Sequence, residues 1–341
     1  METQSSEEFQ GVEAPFDDPS ADLTLQSSDG HHFHVYRIIL AQASLQFKTT
    51  FSLPQPATEG ATVPVLPLTE DAKSLDALLR IIYPTRSPKL PGEVRVIKNI
   101  LEAGRKYEIE LVLDACAESL LDLVEKLEEA VDSEHEDGAK DGQGNQFKTL
   151  AVTTLQVYAI ACQYGLEDVA NKVAHVTLSL PLPVLVSTHV PELDMLSASA
   201  LQRLLDYRME CAKVASDFDS MENLQSEWTE RYRPCLLYWD FDNQVYCRFC
   251  RWKTDNQSNP VSPEWLDRYF GWLSERIHEM PGRIVANSEE AILQANEFAS
   301  RCTDGQCTLL RKLHFPAFAD LVASTIEELL SDVPLKFSKQ A

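Results

Sequence analysis

Cys247-Arg248-Phe249-Cys250 is a CxxC, and Cys302-Thr303-Asp304-Gly305-Gln306-Cys307 is a C-x4-C. Either spacing lets a short turn present two thiolates to one tetrahedral ion, as structural zinc requires, and Asp304-Gly305 gives the second pair its turn. The two pairs lie far apart in the chain, so helices carrying Trp265, Tyr269, Trp272 and Phe298 have to bring them together. Two readings stand. In one, Cys247, Cys250, Cys302 and Cys307 hold a structural Zn2+; in the other they are pairs of buried or half-exposed thiols on aromatic-rich helices. A redox CxxC is disfavoured, because the motif lacks a βαβ setting and the helix N-terminus that lowers a thiol pKa. Cys235 sits on the apolar run Pro234-Cys235-Leu236-Leu237-Tyr238-Trp239 and reads as core. Cys116, Cys162 and Cys211 fall inside amphipathic patterns and read as buried free thiols.

Other chemistry-bearing residues point less far. His31, His32 and His34 cluster near a hairpin tip, and alternation puts His32 and His34 on one strand face. No cysteine or carboxylate completes a ligand set there, so an exposed polar hairpin is the better account. Arg248, Arg251 and Lys253 interleave with Phe249 and Trp252, a pattern that suits single-stranded nucleic acid. Over the whole of 231–341 acidic and basic residues roughly balance, which favours a solvated edge instead. No G-x-G-x-x-G, Walker A, G-x-S-x-G or H-E-x-x-H motif occurs, and no Ser or Cys has a recognisable base and orienting group beside it. No catalytic or cofactor-binding residue is assigned.

The chain has 341 residues, enough for more than one domain, and 44% of them are apolar. Asp and Glu number 53 against 30 Lys and Arg, a formal net charge of −23, which repels nucleic acid and anionic membranes at long range. The start, Met1 to Glu8, is acidic and polar, without the basic and apolar stretches of a signal peptide. The longest apolar candidate, Val176 to Val190, is broken by Pro181 and Pro183 and falls short of a membrane span. A soluble protein of the cytoplasm and/or nucleus is expected, its thiols reduced.

These residues need elements to carry them. Leu23 and Leu25 alternate with polar neighbours as a half-buried strand requires; Ser28-Asp29-Gly30 signals a hairpin, and His31 to Val35 returns. Helical spacing follows at Ile38 to Ala43 and at Leu45 to Phe51, with Ser44 as N-cap. Val63 to Leu68 can only be an edge strand, because Pro64 donates no ladder hydrogen bond. Thr69 is placed to cap a helix with Leu75, Leu78, Leu79 and Ile82 on one face. Helices are expected at Val94 to Tyr107 and about Glu110 to Val124, then an acidic solvated linker. Beyond it Leu155 to Tyr164 reads as a helix closed by Gly165, Leu166 to Leu180 as another, and Ser197 opens a long one.

The first third resembles the BTB/POZ family. The carriers are Asp22, Phe33, Leu40-Ala41, Ser44-Leu45-Gln46-Phe47, Leu78-Leu79-Arg80-Ile81-Ile82-Tyr83, Ala103, Tyr107, Cys116 and Leu120. Where the family has His-Lys ahead of the Leu-Ala step, this chain has Tyr36-Arg37. The remainder is similar to the C-terminal halves of fungal BTB-domain proteins through Val157 to Asp168, Pro191-Glu192-Leu193, Leu204 to Arg208 and Cys211. The resemblance implies an α+β fold with a small sheet flanked by helices, followed by a mostly helical half. The expected division is a disordered acidic tail at 1–18, the BTB/POZ-like domain at 19–125, an acidic linker at 126–148, a helical BACK-like region at 149–230 and a helical cysteine-containing module at 231–341. It implies a non-enzymatic adaptor or scaffold whose partners are BTB-domain proteins or a cullin-type ubiquitin-ligase scaffold. The other reading is a nuclear regulator whose cysteine module contacts nucleic acid. A strand-swapped homodimer is not expected, because Glu7 to Ser20 offers only Phe9, Val12, Ala14 and Phe16 as apolar anchors among many carboxylates.

Overall fold

In the computed structural model, which describes residues 9–53, 63–84, 90–136, 143–217, 252–254 and 260–337, the alternating Leu23 and Leu25 lie on β1, Leu23–Gln26. β1 pairs antiparallel with β2, His32–Val35, in the register Leu23↔Val35 and Leu25↔Phe33. The hairpin turns at Gly30, whose φ of +89° suits glycine, and Asp29 reaches on to accept the Ala72 N–H at 3.0 Å. β3, Val65–Pro67, runs parallel to β1 on its other side, giving the order β2-β1-β3. Pro64 and Pro67 are tolerated there because β3 is an edge.

Around this sheet stand α1, Arg37–Ala43, α2, Leu45–Ser52, α3, Ala72–Ile82, and α4, Val94–Tyr107. Ser44 caps α2 as expected, accepting the Phe47 N–H at 3.0 Å. The cap of α3 differs: Asp71, not Thr69, accepts the Ser74 N–H at 2.8 Å, while Thr69 turns to Lys106 and Glu70. Leu23, Leu25, Phe33, Leu40, Phe47, Leu79 and Tyr107 are all buried and form the core that their spacing implies. Gly104 of α4 sits where an added Cβ would lie 2.6 Å from a Val112 methyl, so α4 and the next helix touch only because a side chain is missing.

That helix, α5, runs Leu111–Glu136 rather than stopping near Val124. Cys116, Leu120, Val124, Leu127 and Val131 are buried at spacings of three and four, so the stretch read as the start of a solvated linker continues the buried face. The change-over between the chain's two compact units, 1–123 and 124–341, falls inside α5.

The tail reading also changes over residues 9–18, while residues 1–8 lie outside the described residues. Residues 9–20 lie on the first unit, and Phe16 is fully buried against Phe33 and Tyr83. An isolated aromatic in an acidic stretch carries no periodic signal, which is why the sequence alone reads it as a tail.

The second unit is helical: α6, Gln143–Tyr164, α7, Glu167–Val176, a 3-10 turn at Thr177–Ser179, α8, Leu182–Ser187, α9, Pro191–Asp194, and α10, Ala198–Ala215. Gly165 closes α6 with φ +71°. A short antiparallel pair follows, β4, Trp252–Thr254, and β5, Pro260–Pro263. It leads into α11, Glu264–Glu279, α12, Ile284–Asn287, α13, Glu289–Phe298, and α14, Gly305–Ser331. Tyr269, Leu273, Phe315, Phe318, Val322 and Ile326 make its inner packing, and the Tyr269 hydroxyl donates to the Ala286 carbonyl at 2.8 Å.

Candidate interaction surfaces

Tyr107 closes the last turn of α4 against α2. Its ring stacks on Phe47 at 4.7 Å and 15°, and its carbonyl accepts the Ser44 hydroxyl. Its phenol donates to Glu70 Oε2 at 2.7 Å, while Lys106 Nζ reaches Glu70 Oε1 at 2.8 Å. Burial raises the Glu70 carboxyl, yet the bonds from Lys106 and Tyr107 outweigh it and hold Glu70 below its ordinary value. Burial and the Glu70 charge together push the Tyr107 phenol far up.

With α2 pinned from inside, its outer side faces water. Leu45 of α2 is exposed at 63%, Leu53 just past its end at 60%, Ile38 of α1 at 68% and Val65 of β3 at 52%. Scattered exposed leucines need no explanation, but four large apolar side chains on short, firmly anchored elements are what a protein partner can use.

The second unit holds two polar arrangements that sequence reasoning missed. Arg208 of α10 is buried and, among the described residues, meets no carboxylate; its Nη2 donates at 3.0 Å to both the Leu180 and Glu279 carbonyls, so it ties α10 to the end of α11. Burial lowers the guanidinium to about 10. Gly282 approaches the same place: an added Cβ would lie 2.4 Å from the Ser179 Oγ. The second arrangement lines a depression of about 410 Å³. There His175 Nε2 meets Glu327 Oε1 at 3.0 Å, and Arg283 Nη2 donates to Asp132 Oδ2 at 2.6 Å. His175 and Arg283 hold Glu327 below its ordinary value, with His175 the larger cause and burial opposing. Nothing in the local spacing of these residues announces the pairings, since the partners lie up to 152 positions apart.

The cysteines divide. Cys116 and Cys211 are buried free thiols pushed up to about 12 and about 11 by burial, and Cys162 is half-buried and also raised by burial. Thiols so raised are poor nucleophiles. Cys302 is buried in the turn ahead of α14. Cys235, Cys247 and Cys250 lie outside the described residues, as does the side chain of Cys307, so the four-cysteine set is not assembled or separated by the structure. Among the described residues no group of three or more His, Cys, Asp or Glu is placed to hold a metal. Arg248 and Arg251 also fall outside the described residues. His34 turns to the Thr24 hydroxyl at 3.2 Å and His31 to Asp29 at 3.5 Å.

Residues 16–123 match the family model described as the BTB/POZ domain. No curated protein matches the chain.

Proposed function

With residues 16–123 a BTB/POZ domain, a module of protein–protein interaction, we propose that the chain is a non-enzymatic adaptor in which this domain binds a cullin-type ubiquitin-ligase scaffold or another BTB domain. The helical second unit then selects a further partner, in the cytoplasm or the nucleus. The observation that supports the reading is the exposure of Ile38 on α1 and Leu45 on α2, helices that bury Leu40 and Phe47 on their inner faces, together with the exposure of Leu53 and Val65. Among the described residues no helix is long and apolar enough to cross a membrane, which suits soluble partners. A structural zinc at Cys247, Cys250, Cys302 and Cys307 is part of the same proposal and would brace the second unit.

The test is a calorimetric titration of the purified chain with the N-terminal domain of a cullin, repeated with Leu45→Asp. Binding at micromolar Kd or tighter, weakened at least about tenfold by the substitution, supports the reading. Absence of binding to any cullin or BTB domain removes the finer claim. Salt-dependent retention on DNA would turn the proposal toward a nuclear regulator.

A further inference from the structure

In the second unit α11 and α14 pack through aromatic rings. Trp265 and Tyr269 of α11 meet Phe315 of α14 edge-on, with ring centres 6.0 Å and 5.1 Å apart. One turn ahead of Phe315, on the same face of α14, stands Arg311. It is only 3% exposed, and its guanidinium carbon lies 5.8 Å from the centre of the Trp265 ring. Its Nε and Nη1 are buried and meet no acceptor among the described residues, and no described carboxylate is paired with it. The indole N–H of Trp265, a residue 5% exposed, is likewise buried without an acceptor.

A guanidinium stays charged at every physiological pH, and burying it without a counter-charge costs far more than burying a neutral group unpaired. Cation–π attraction to the Trp265 ring offsets only part of that cost. Arg208, the other buried arginine among the described residues, places its Nη2 on two carbonyls. Arg311 has no such outlet. Three orphaned N–H donors on two facing helices define their own complement, an acceptor that carries negative charge. One guanidinium balances one negative charge. A carboxylate therefore fits, whereas a phosphate dianion would leave a buried charge uncompensated in a chain already at −23. The near-total burial of Arg311 sets the size: a small anion can reach it, a side chain presented by another folded surface cannot.

We propose that Arg311 and Trp265 form a receptor for a small monocarboxylate, held by the guanidinium and the indole N–H within the aromatic packing of α11 and α14. The site lies wholly in the second unit and needs neither the BTB/POZ domain nor a protein partner, so it stands apart from the adaptor reading. The carboxylate supplies the counter-charge that Arg311 lacks. Because the two donors converge only in the folded unit, the ligand binds the folded state alone and raises its stability with concentration.

The test is thermal unfolding of the full chain at neutral pH, followed by tryptophan fluorescence, in sodium acetate or sodium benzoate against sodium chloride at equal ionic strength. The midpoint should rise saturably with either carboxylate, with half-saturation at about 10 mM or below for so small a ligand. Inorganic phosphate at the same ionic strength should bind at least about tenfold more weakly. Arg311→Met replaces an unpaired buried charge with an apolar chain, so in chloride it should be at least as stable as the parent. It should also lose the response to acetate. Trp265→Phe keeps a ring and removes the donor, and should weaken acetate binding about tenfold. No midpoint rise in the parent chain, an equal rise in Arg311→Met, or unweakened binding in Trp265→Phe overturns the proposal. So does a destabilised or unfolded Arg311→Met in chloride, because the guanidinium would then be satisfied within the protein.

Discussion

Replacing Phe47 by Ala removes the ring that holds α2 to α4. Phe47 is 3% exposed and stacks on Tyr107 at 4.7 Å and on Phe51 at 5.8 Å. Loss of its apolar burial costs about 1.5–3 kcal/mol, and the aromatic pairing adds about 0.5–1.5 kcal/mol. The remaining void brings the total to roughly 3–5 kcal/mol, the usual range for Phe→Ala in a core. The Ser44 cap survives, since it uses only the backbone N–H of residue 47. Against a total stability of about 5–15 kcal/mol the loss is large. All five tryptophans lie at 228 or beyond, in the sequence of the second unit, so a readout within the first unit itself is needed. Native-state hydrogen exchange of α4 amides provides it. Their opening free energy should fall by roughly 3–5 kcal/mol in the variant. A fall below about 1 kcal/mol would mean that Phe47 is not packed as described and that the α2–α4 contact contributes little.

Gly104→Ala and Gly271→Ala should act in opposite directions. Ala at 104 meets Val112 at 2.6 Å and should destabilise by about 1–3 kcal/mol, whereas Ala at 271, with nothing within 4 Å, should stabilise α11 by about 0.5–1 kcal/mol in chemical denaturation. Glu70, held below its ordinary 4.5, contributes stability that is present above pH 4.5 and lost as the pH falls through its lower folded value. Acid unfolding of the first unit should therefore be less steep in Glu70→Gln, and an unchanged profile would remove Glu70 from the account. Metal analysis of protein purified without chelator should return about one zinc per chain, lost in Cys250→Ser; zinc-free native protein would leave the cysteines as plain thiols.

Period and punctuation made much of the first unit legible. The alternation of Leu23 and Leu25, the Asp29-Gly30 turn, the Ser44 cap and the one-sided leucines of α3 are local patterns, and the structure keeps each of them. The same rule would have carried α5 through Leu127 and Val131 had the apolar spacing been followed past Val124 instead of yielding to the run of carboxylates. The exposed Ile38 and Leu45 were not separable from core residues by type, because helices as short as α1 and α2 show no clear period.

The sequence alone determined which residues could share a face, since side-chain direction repeats along a helix or strand with a fixed period. It therefore settled the small sheet, its flanking helices and the core from Leu23 to Tyr107. Only the tertiary structure decided which polar groups meet and which isolated aromatic finds a slot. Asp71 rather than Thr69 caps α3, Arg208 reaches carbonyls 28 and 71 positions away, and Phe16 is buried because Phe33, Tyr83 and Arg80 converge on it. Such contacts depend on the approach of distant segments, for which no local period exists.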